Sequence, residues 1–412
     1  MIRIKKYSEK SLFNTYILIA LDQLTFTGAE IFKNILIDFC VLIFNFSFIL
    51  FQMNSQHINL LNNNIKELIW DAIKISFRNP SFLLFAIKTW YWQNKALRRR
   101  LAWEAKGQHV PPFLIVSLTH QCNLNCKGCY SREQKRKEGK EMTPETFKSL
   151  LKEATELGVT FILLAGGEPL LRKDLLDITK EFPHIIFPMF TNGLLINADW
   201  IMQFKKQKNV LPIISIEGLE QETDLRRGQG VFKQLEKTVQ FIKQKSVFYG
   251  LSFTVTRKNA ALLLDTDFVE PLINKGSRIF FFIEYIPVKE GTASLVLTKE
   301  QRQELNSTLA FFRKDFPGLF IAFPGDEAAL GGCLASGRGF VHISPEGLVE
   351  PCPFAPYSDS ELGKYSLKDA INSPFLKKIR EQHELLQEHN GGCALWENKE
   401  LVKTLLMETS SI

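Results

Sequence analysis

Six short apolar runs, rich in β-branched and aromatic residues, alternate with helix-patterned segments through the middle of this chain. The runs at 113–119, 161–165, 185–190, 211–216, 251–256 and 279–286 read as buried strands. Between the first two, Thr143 suits a helix cap and Pro144 a first helical turn. Phe147, Leu150, Leu151 and Ala154 follow at helical spacing, and Gly158 closes the segment. Segments 198–207, 231–245 and 299–312 repeat the helical pattern. Strands alternating with helices predict a parallel sheet with helical crossovers. Six units are too few for an eightfold barrel. The expected fold class is therefore α/β, an open, partial (β/α)6 barrel with its site at the C-terminal ends of the strands.

At 412 residues the chain has room for two or three domains. We place boundaries at 1–107, an apolar helical region; 108–318, the barrel; and 319–412, a small α+β region. A net charge of +7 is modest and does not mark a nucleic-acid binder. There are seven cysteines: Cys40, Cys122, Cys126, Cys129, Cys333, Cys352 and Cys393. An odd count in a long chain, with three inside eight residues, argues for metal ligands rather than disulfides. That chemistry belongs in a reducing compartment. No cleavable signal peptide is read at the N-terminus, so a cytoplasmic location is expected.

Cys122, Cys126 and Cys129 follow the first strand directly, on the first loop at the mouth of the barrel. Cysteine thiolates are the usual ligands of cubane iron–sulfur clusters, and three of them leave one iron open. This motif, with Tyr130 after the last cysteine, resembles the radical S-adenosylmethionine (radical SAM) superfamily. Many relatives carry an aromatic residue just before the last cysteine, where this chain has Gly128. The resemblance implies a 4Fe-4S cluster and S-adenosyl-L-methionine as cofactors. It also assigns cofactor contacts along the strand ends. Gly166, Gly167, Glu168 and Pro169 end the second strand, where glycines permit close approach and a carboxylate suits an ammonium. Thr191 and Asn192 end the third strand, and Ser215 and Glu217 the fourth. Thr254 and Thr256 on the fifth strand and 284–287 on the sixth complete the set. Many relatives have Asp at the position of Glu217. Arg226 and Arg227 read as a solvated turn in preference to a carboxylate clamp.

Pro345-Glu346-Gly347 reads as a hairpin turn that brings the segments of Cys333 and Cys352 together, with Cys393 beyond. The arrangement resembles the SPASM and Twitch auxiliary domains of the same superfamily, which implies one auxiliary cluster. Trp396 stands where Twitch domains often have a fourth cysteine, so His342, His389 or Glu397 are candidate further ligands. A structural zinc site and plain core cysteines are the alternatives.

Segment 35–53 is almost wholly apolar, broken by Asp38, Asn45, Ser47 and Gln52, and is just long enough to span a bilayer. Cys40 inside it reads as a packing residue. Segment 82–92 is aromatic and amphipathic, and Lys95 and Arg98, Arg99 and Arg100 follow. Two readings stay open for this region: association with the cytoplasmic face of a membrane, or a helical subdomain packed on the barrel. The resemblance implies an enzyme that forms a 5′-deoxyadenosyl radical and abstracts hydrogen from an unidentified substrate. That substrate is a peptide, a protein or a small lipid-like molecule. The electron donor is one such as flavodoxin or ferredoxin. The alternative is a non-catalytic iron–sulfur electron carrier or zinc-binding scaffold.

Overall fold

The computed structural model describes residues 80–134, 140–327, 332–382 and 393–410. All lie in the second of the chain's two compact units, Leu61–Ile412. Segment 35–53, with Cys40, and His389 fall outside the described residues.

A single curled sheet organises the fold. Its strands are β1 (Phe113–Ser117), β2 (Phe161–Ala165), β3 (Phe187–Thr191), β4 (Val210–Ser215), β5 (Gly250–Val255), β6 (Ile279–Glu284), β7 (Leu319–Phe323), β8 (Phe340–Ile343) and β9 (Val349–Glu350). Their order is β7-β6-β5-β4-β3-β2-β1-β8-β9. Strands β1 to β7 run parallel, β8 is parallel to β1, and only β9 is antiparallel. The six-strand expectation is met by β1–β6 and extended at both edges by the C-terminal third of the chain.

Helices form at the four segments patterned for them and at others besides. They include α1 (Pro80–Glu104), α2 (Pro144–Leu157), α3 (Ala198–Lys206), α4 (Glu220–Arg227), α5 (Val231–Gln244), α6 (Thr266–Asn274) and α7 (Lys299–Asp315). Thr143 Oγ1 caps α2 by accepting the Thr146 amide, and Gly158 ends it in a left-handed conformation. Phe147, Leu150, Leu151 and Ala154 bury the α2 stripe in the core. A helix end leaves carbonyls without partners. Here α1 supplies them: Arg99 Nη1 donates to Thr155 O at 2.6 Å and Arg100 Nη1 to Gly158 O at 2.5 Å. Burial lowers the Arg100 pKa to about 10. The Arg98–Arg100 run is thus partly spent on docking α1 to the barrel. No helix among the described residues is long and apolar enough to cross a membrane.

The third region's hairpin forms at the expected turn. β8 and β9 pair His342 with Glu350, and Gly347 donates to Ser344 O at 2.9 Å.

Candidate active site

The loop after β1 carries Cys122, exposed, and Cys126 and Cys129, both half-buried, all as free thiols. Three tethers fix it. Gly167 N donates to Thr119 O at 2.6 Å, Glu168 N to Gln121 O at 2.8 Å, and Lys127 N to Arg226 O at 2.8 Å. The first two explain the Gly-Gly pair. A Cβ on Gly166 would lie 2.6 Å from Thr119 O, and one on Gly167 would strike Gln121 O. The close approach these glycines permit is therefore made by the cysteine loop's own backbone.

Glu168 is fully buried, and its carboxylate is spent inside the protein. Oε1 accepts from Thr191 Oγ1 at 2.7 Å and Leu170 N at 3.1 Å, and Oε2 from Asn192 N at 2.8 Å. It staples the end of β2 to the end of β3, and Pro169 starts the short turn it caps. Burial raises its pKa against those hydrogen bonds. Asn192 Nδ2 donates to Asn123 Oδ1 at 2.7 Å and approaches Cys122 Sγ at 3.9 Å, so β3 also touches the cysteine loop.

Glu217 is 1% exposed, and its carboxylate likewise turns inward. Arg226 Nη1 donates to Oε1 at 2.6 Å, and Arg227 Nη2 reaches the same oxygen at 2.6 Å. Thr254 N donates to Oε2 at 3.1 Å. Burial alone would raise this carboxyl's pKa; the two guanidiniums more than offset it and hold it below the usual range. The solvated-turn reading of Arg226 and Arg227 is overturned, because both side chains are drawn off the surface by this buried carboxylate. Both guanidiniums also face the cysteine loop. Burial pushes the Cys126 thiol up, and the Arg227 and Arg226 charges partly oppose that.

Ser215 Oγ and Ser252 Oγ pair at 3.0 Å across β4 and β5. Asn259 Oδ1 accepts from Thr256 Oγ1 at 2.8 Å, and its Nδ2 donates to Glu217 O at 2.9 Å. Ser252 and Asn259 were not singled out from sequence. For Ser252 a signal exists: Ser252, Thr254 and Thr256 form a period-two polar series in an otherwise apolar strand. At the end of β6, Glu284 accepts from Arg302 Nε at 2.7 Å. Tyr285 instead reaches the motif: a Cβ on Gly128 would lie 2.5 Å from Tyr285 Oη. The aromatic residue missing from position 128 is supplied here by the residue just after β6. The Tyr130 ring meets Phe354 at 5.2 Å, linking the loop to the C-terminal region.

In that region Cys352 and Cys393 are buried and Cys333 half-buried. Burial, then contact with the Cys393 thiol, pushes the Cys352 thiol well up, and Cys333 adds to the effect. His342 is not available as a fourth ligand. It is fully buried, with Nε2 paired to Ser117 Oγ at 2.8 Å and Nδ1 to Glu350 Oε2 at 2.7 Å. Glu397 is exposed. Among the described residues no three His, Cys, Asp or Glu side chains close on a point as a single metal ion requires.

A half-barrel with three free cysteines on the loop after its first strand defines a class, and comparison with known proteins agrees. The Radical SAM superfamily profile matches residues 116–257. The chain is 31% identical over 332 residues to pre-heme d1 synthase of Dinoroseobacter shibae, covering 69% of this chain and 79% of that one. It is 24% identical over 323 residues to the AdoMet-dependent heme synthase of Methanosarcina barkeri, covering 71% and 90%. Streptococcus suis SuiB bound to S-adenosylmethionine shares the fold, with a TM-score of 0.57 at 16% identity over 77% of this chain and 76% of that one. The chain belongs to the radical SAM superfamily. It is a radical SAM enzyme, of a family that uses a 4Fe-4S cluster and S-adenosylmethionine.

Proposed function

We propose that Cys122, Cys126 and Cys129 hold the 4Fe-4S cluster, and that S-adenosylmethionine lies against the ends of β2 to β5. The observation that carries this reading is the loop itself: three free thiols, tied by backbone to Gly167 and Glu168 and flanked by two guanidiniums. The donor set fits the group, since thiolates bind iron and the arginines offset their negative charge. When bound, the pair supplies reductive cleavage of the cofactor to methionine and a 5′-deoxyadenosyl radical, which takes hydrogen from the substrate.

The chain's own residues prepare the site. Glu168 and Glu217 act as positioning residues: one joins β2 to β3, and the other holds Arg226 and Arg227 beside Cys126. The Ser215 and Ser252 hydroxyls, together with the Asn192 amide, offer hydrogen bonds at the strand ends for a polar cofactor. Tyr285 packs against Gly128 of the loop, and Tyr130 ties the loop to Phe354. Cys333, Cys352 and Cys393 hold an auxiliary cluster, supported by the contact of Cys352 with Cys393 and the influence of Cys333 on Cys352. The enzyme works in the cytoplasm, served by a low-potential one-electron donor such as flavodoxin or ferredoxin.

Anaerobic reconstitution with iron and sulfide, followed by dithionite and S-adenosylmethionine, tests this directly. The wild type forms 5′-deoxyadenosine. The Cys122→Ala/Cys126→Ala/Cys129→Ala variant forms none and loses about four irons per chain, keeping those of the auxiliary cluster. Deoxyadenosine from the variant would overturn the assignment.

A further inference from the structure

The opposite edge of the barrel, where the strands begin, carries a cavity that the radical chemistry does not use. It measures about 240 Å³ and is lined by Trp92, Lys95 and Arg99 of α1 together with Thr155, Thr160 and His184. Thr160 immediately precedes β2, and His184 lies just before β3. The cavity therefore opens at the far ends of the strands from the cysteine loop.

Its charge is one-sided. Lys95, Arg99 and His184 are the titratable groups of the lining, and no carboxylate joins them. Neither Lys95 nor Arg99 has an ion-pair partner among the described residues. Burial, then the charges of Arg99 and Lys95, lowers the pKa of His184. Like charges gathered in a partly buried place repel unless an anion sits among them. Hydrogen-bond donors are also in place. Arg99 commits Nη1 to Thr155 O and keeps the rest of its fork. Behind the lining, Gln93 Oε1 accepts from Thr160 Oγ1 at 2.7 Å and fixes that hydroxyl. An aromatic wall completes the site: the Trp92 ring lies 5.4 Å from His184 and 5.2 Å from the Lys95 ammonium.

We propose that this cavity binds the phosphate group of an anionic organic ligand, with Arg99 and Lys95 on the phosphate and Trp92 against the organic portion. Guanidinium donors match phosphate oxygens in pairs, and an ammonium adds a point charge. The volume exceeds what a bare phosphate needs. The same chemistry is offered by a soluble phosphate ester and by a phospholipid headgroup.

Titration calorimetry of the full-length holoenzyme with inorganic phosphate, at constant ionic strength, tests the site. Cosedimentation with phosphatidylglycerol vesicles, against phosphatidylcholine vesicles, separates the two sources. Lys95→Glu reverses the charge of an exposed side chain, and His184→Asn removes the imidazole; each is checked for an unchanged thermal midpoint without phosphate. The expected result is saturable phosphate binding, weakened about tenfold in Lys95→Glu and several-fold in His184→Asn. Deoxyadenosine formation in Lys95→Glu stays at the wild-type rate. Phosphatidylglycerol binding that free phosphate relieves assigns the headgroup, and phosphate binding without vesicle binding assigns the soluble ester. No saturable phosphate binding, or equal binding in the wild type and both variants, overturns the proposal.

Discussion

Arg226 is held by Glu217 at one end and holds the cysteine loop at the other. Its guanidinium closes on the buried carboxylate at 2.6 Å, while its backbone carbonyl accepts the Lys127 amide at 2.8 Å. Position 217 therefore reaches the cysteine loop through α4, without touching it.

Glu217→Gln leaves two guanidiniums facing a neutral amide in a buried setting. Breaking a buried pair from one side costs about 3 kcal/mol. The expected result is a lower thermal midpoint and a deoxyadenosine yield reduced by at least about tenfold. The pH dependence has a defined sign. The folded-state pKa of Glu217 is depressed, so its contribution is complete above the ordinary Glu value near about 4.3 and is lost as pH falls through the folded value. Thermal melts between neutral and acid pH should show this loss in the wild type and a flatter profile in the variant.

Gly167→Ala should unseat the cysteine loop. Its added methyl strikes the Gln121 carbonyl, which is backbone and cannot swing aside. The expected outcome is iron content after reconstitution falling to the auxiliary complement, with circular dichroism showing an intact barrel. Full iron loading would contradict the tether.

Gly128 and Tyr285 should behave as a coupled pair. Gly128→Ala places a methyl 2.5 Å from Tyr285 Oη, and its φ of +65° adds strain of about 1 kcal/mol. Tyr285→Phe removes the obstructing oxygen. The double variant should recover part of the activity lost in Gly128→Ala, with a coupling of about 1 kcal/mol in a double-mutant cycle on deoxyadenosine formation. Strict additivity would refute the contact.

His342→Gln separates packing from ligation. The ring lies between Ser117 and Glu350, so its loss should cost about 2 kcal/mol of stability. Iron per folded chain should not change. A drop in iron would return His342 to the ligand set.

What the sequence disclosed, and what it hid, divides by distance along the chain. Local signals were legible: the Thr143 cap, the Gly158 stop and the turn at Gly347 each depend on neighbours a few residues away. The cysteine spacing and the strand runs were legible for the same reason. Arg226 and Arg227 misled because they follow Glu220, Glu222 and Asp224 on a short polar helix that reads as solvated. Their partner sits back across the strand end, outside any periodic pattern. His342 misled more completely, since Ser117 lies 225 positions away. The roles of Glu168 and the Gly166-Gly167 pair were only half legible. The close approach was foreseen, but the approaching group is the loop's own backbone.

The pairing of β1 with β8 also sets a timetable for synthesis. Strand β1 emerges early, yet the neighbour on its outer side, Phe340–Ile343, is made more than two hundred residues later. Through that interval β1 is an open edge with unpaired amides and carbonyls, the kind of surface that recruits stray strands. A chain cut short before Phe340 keeps that edge bare: Ser117 at the end of β1 lacks its His342 partner, and the cysteine loop that springs from it lacks the Phe354 contact at Tyr130. Interrupted translation would therefore yield a sticky half-barrel rather than a smaller working enzyme.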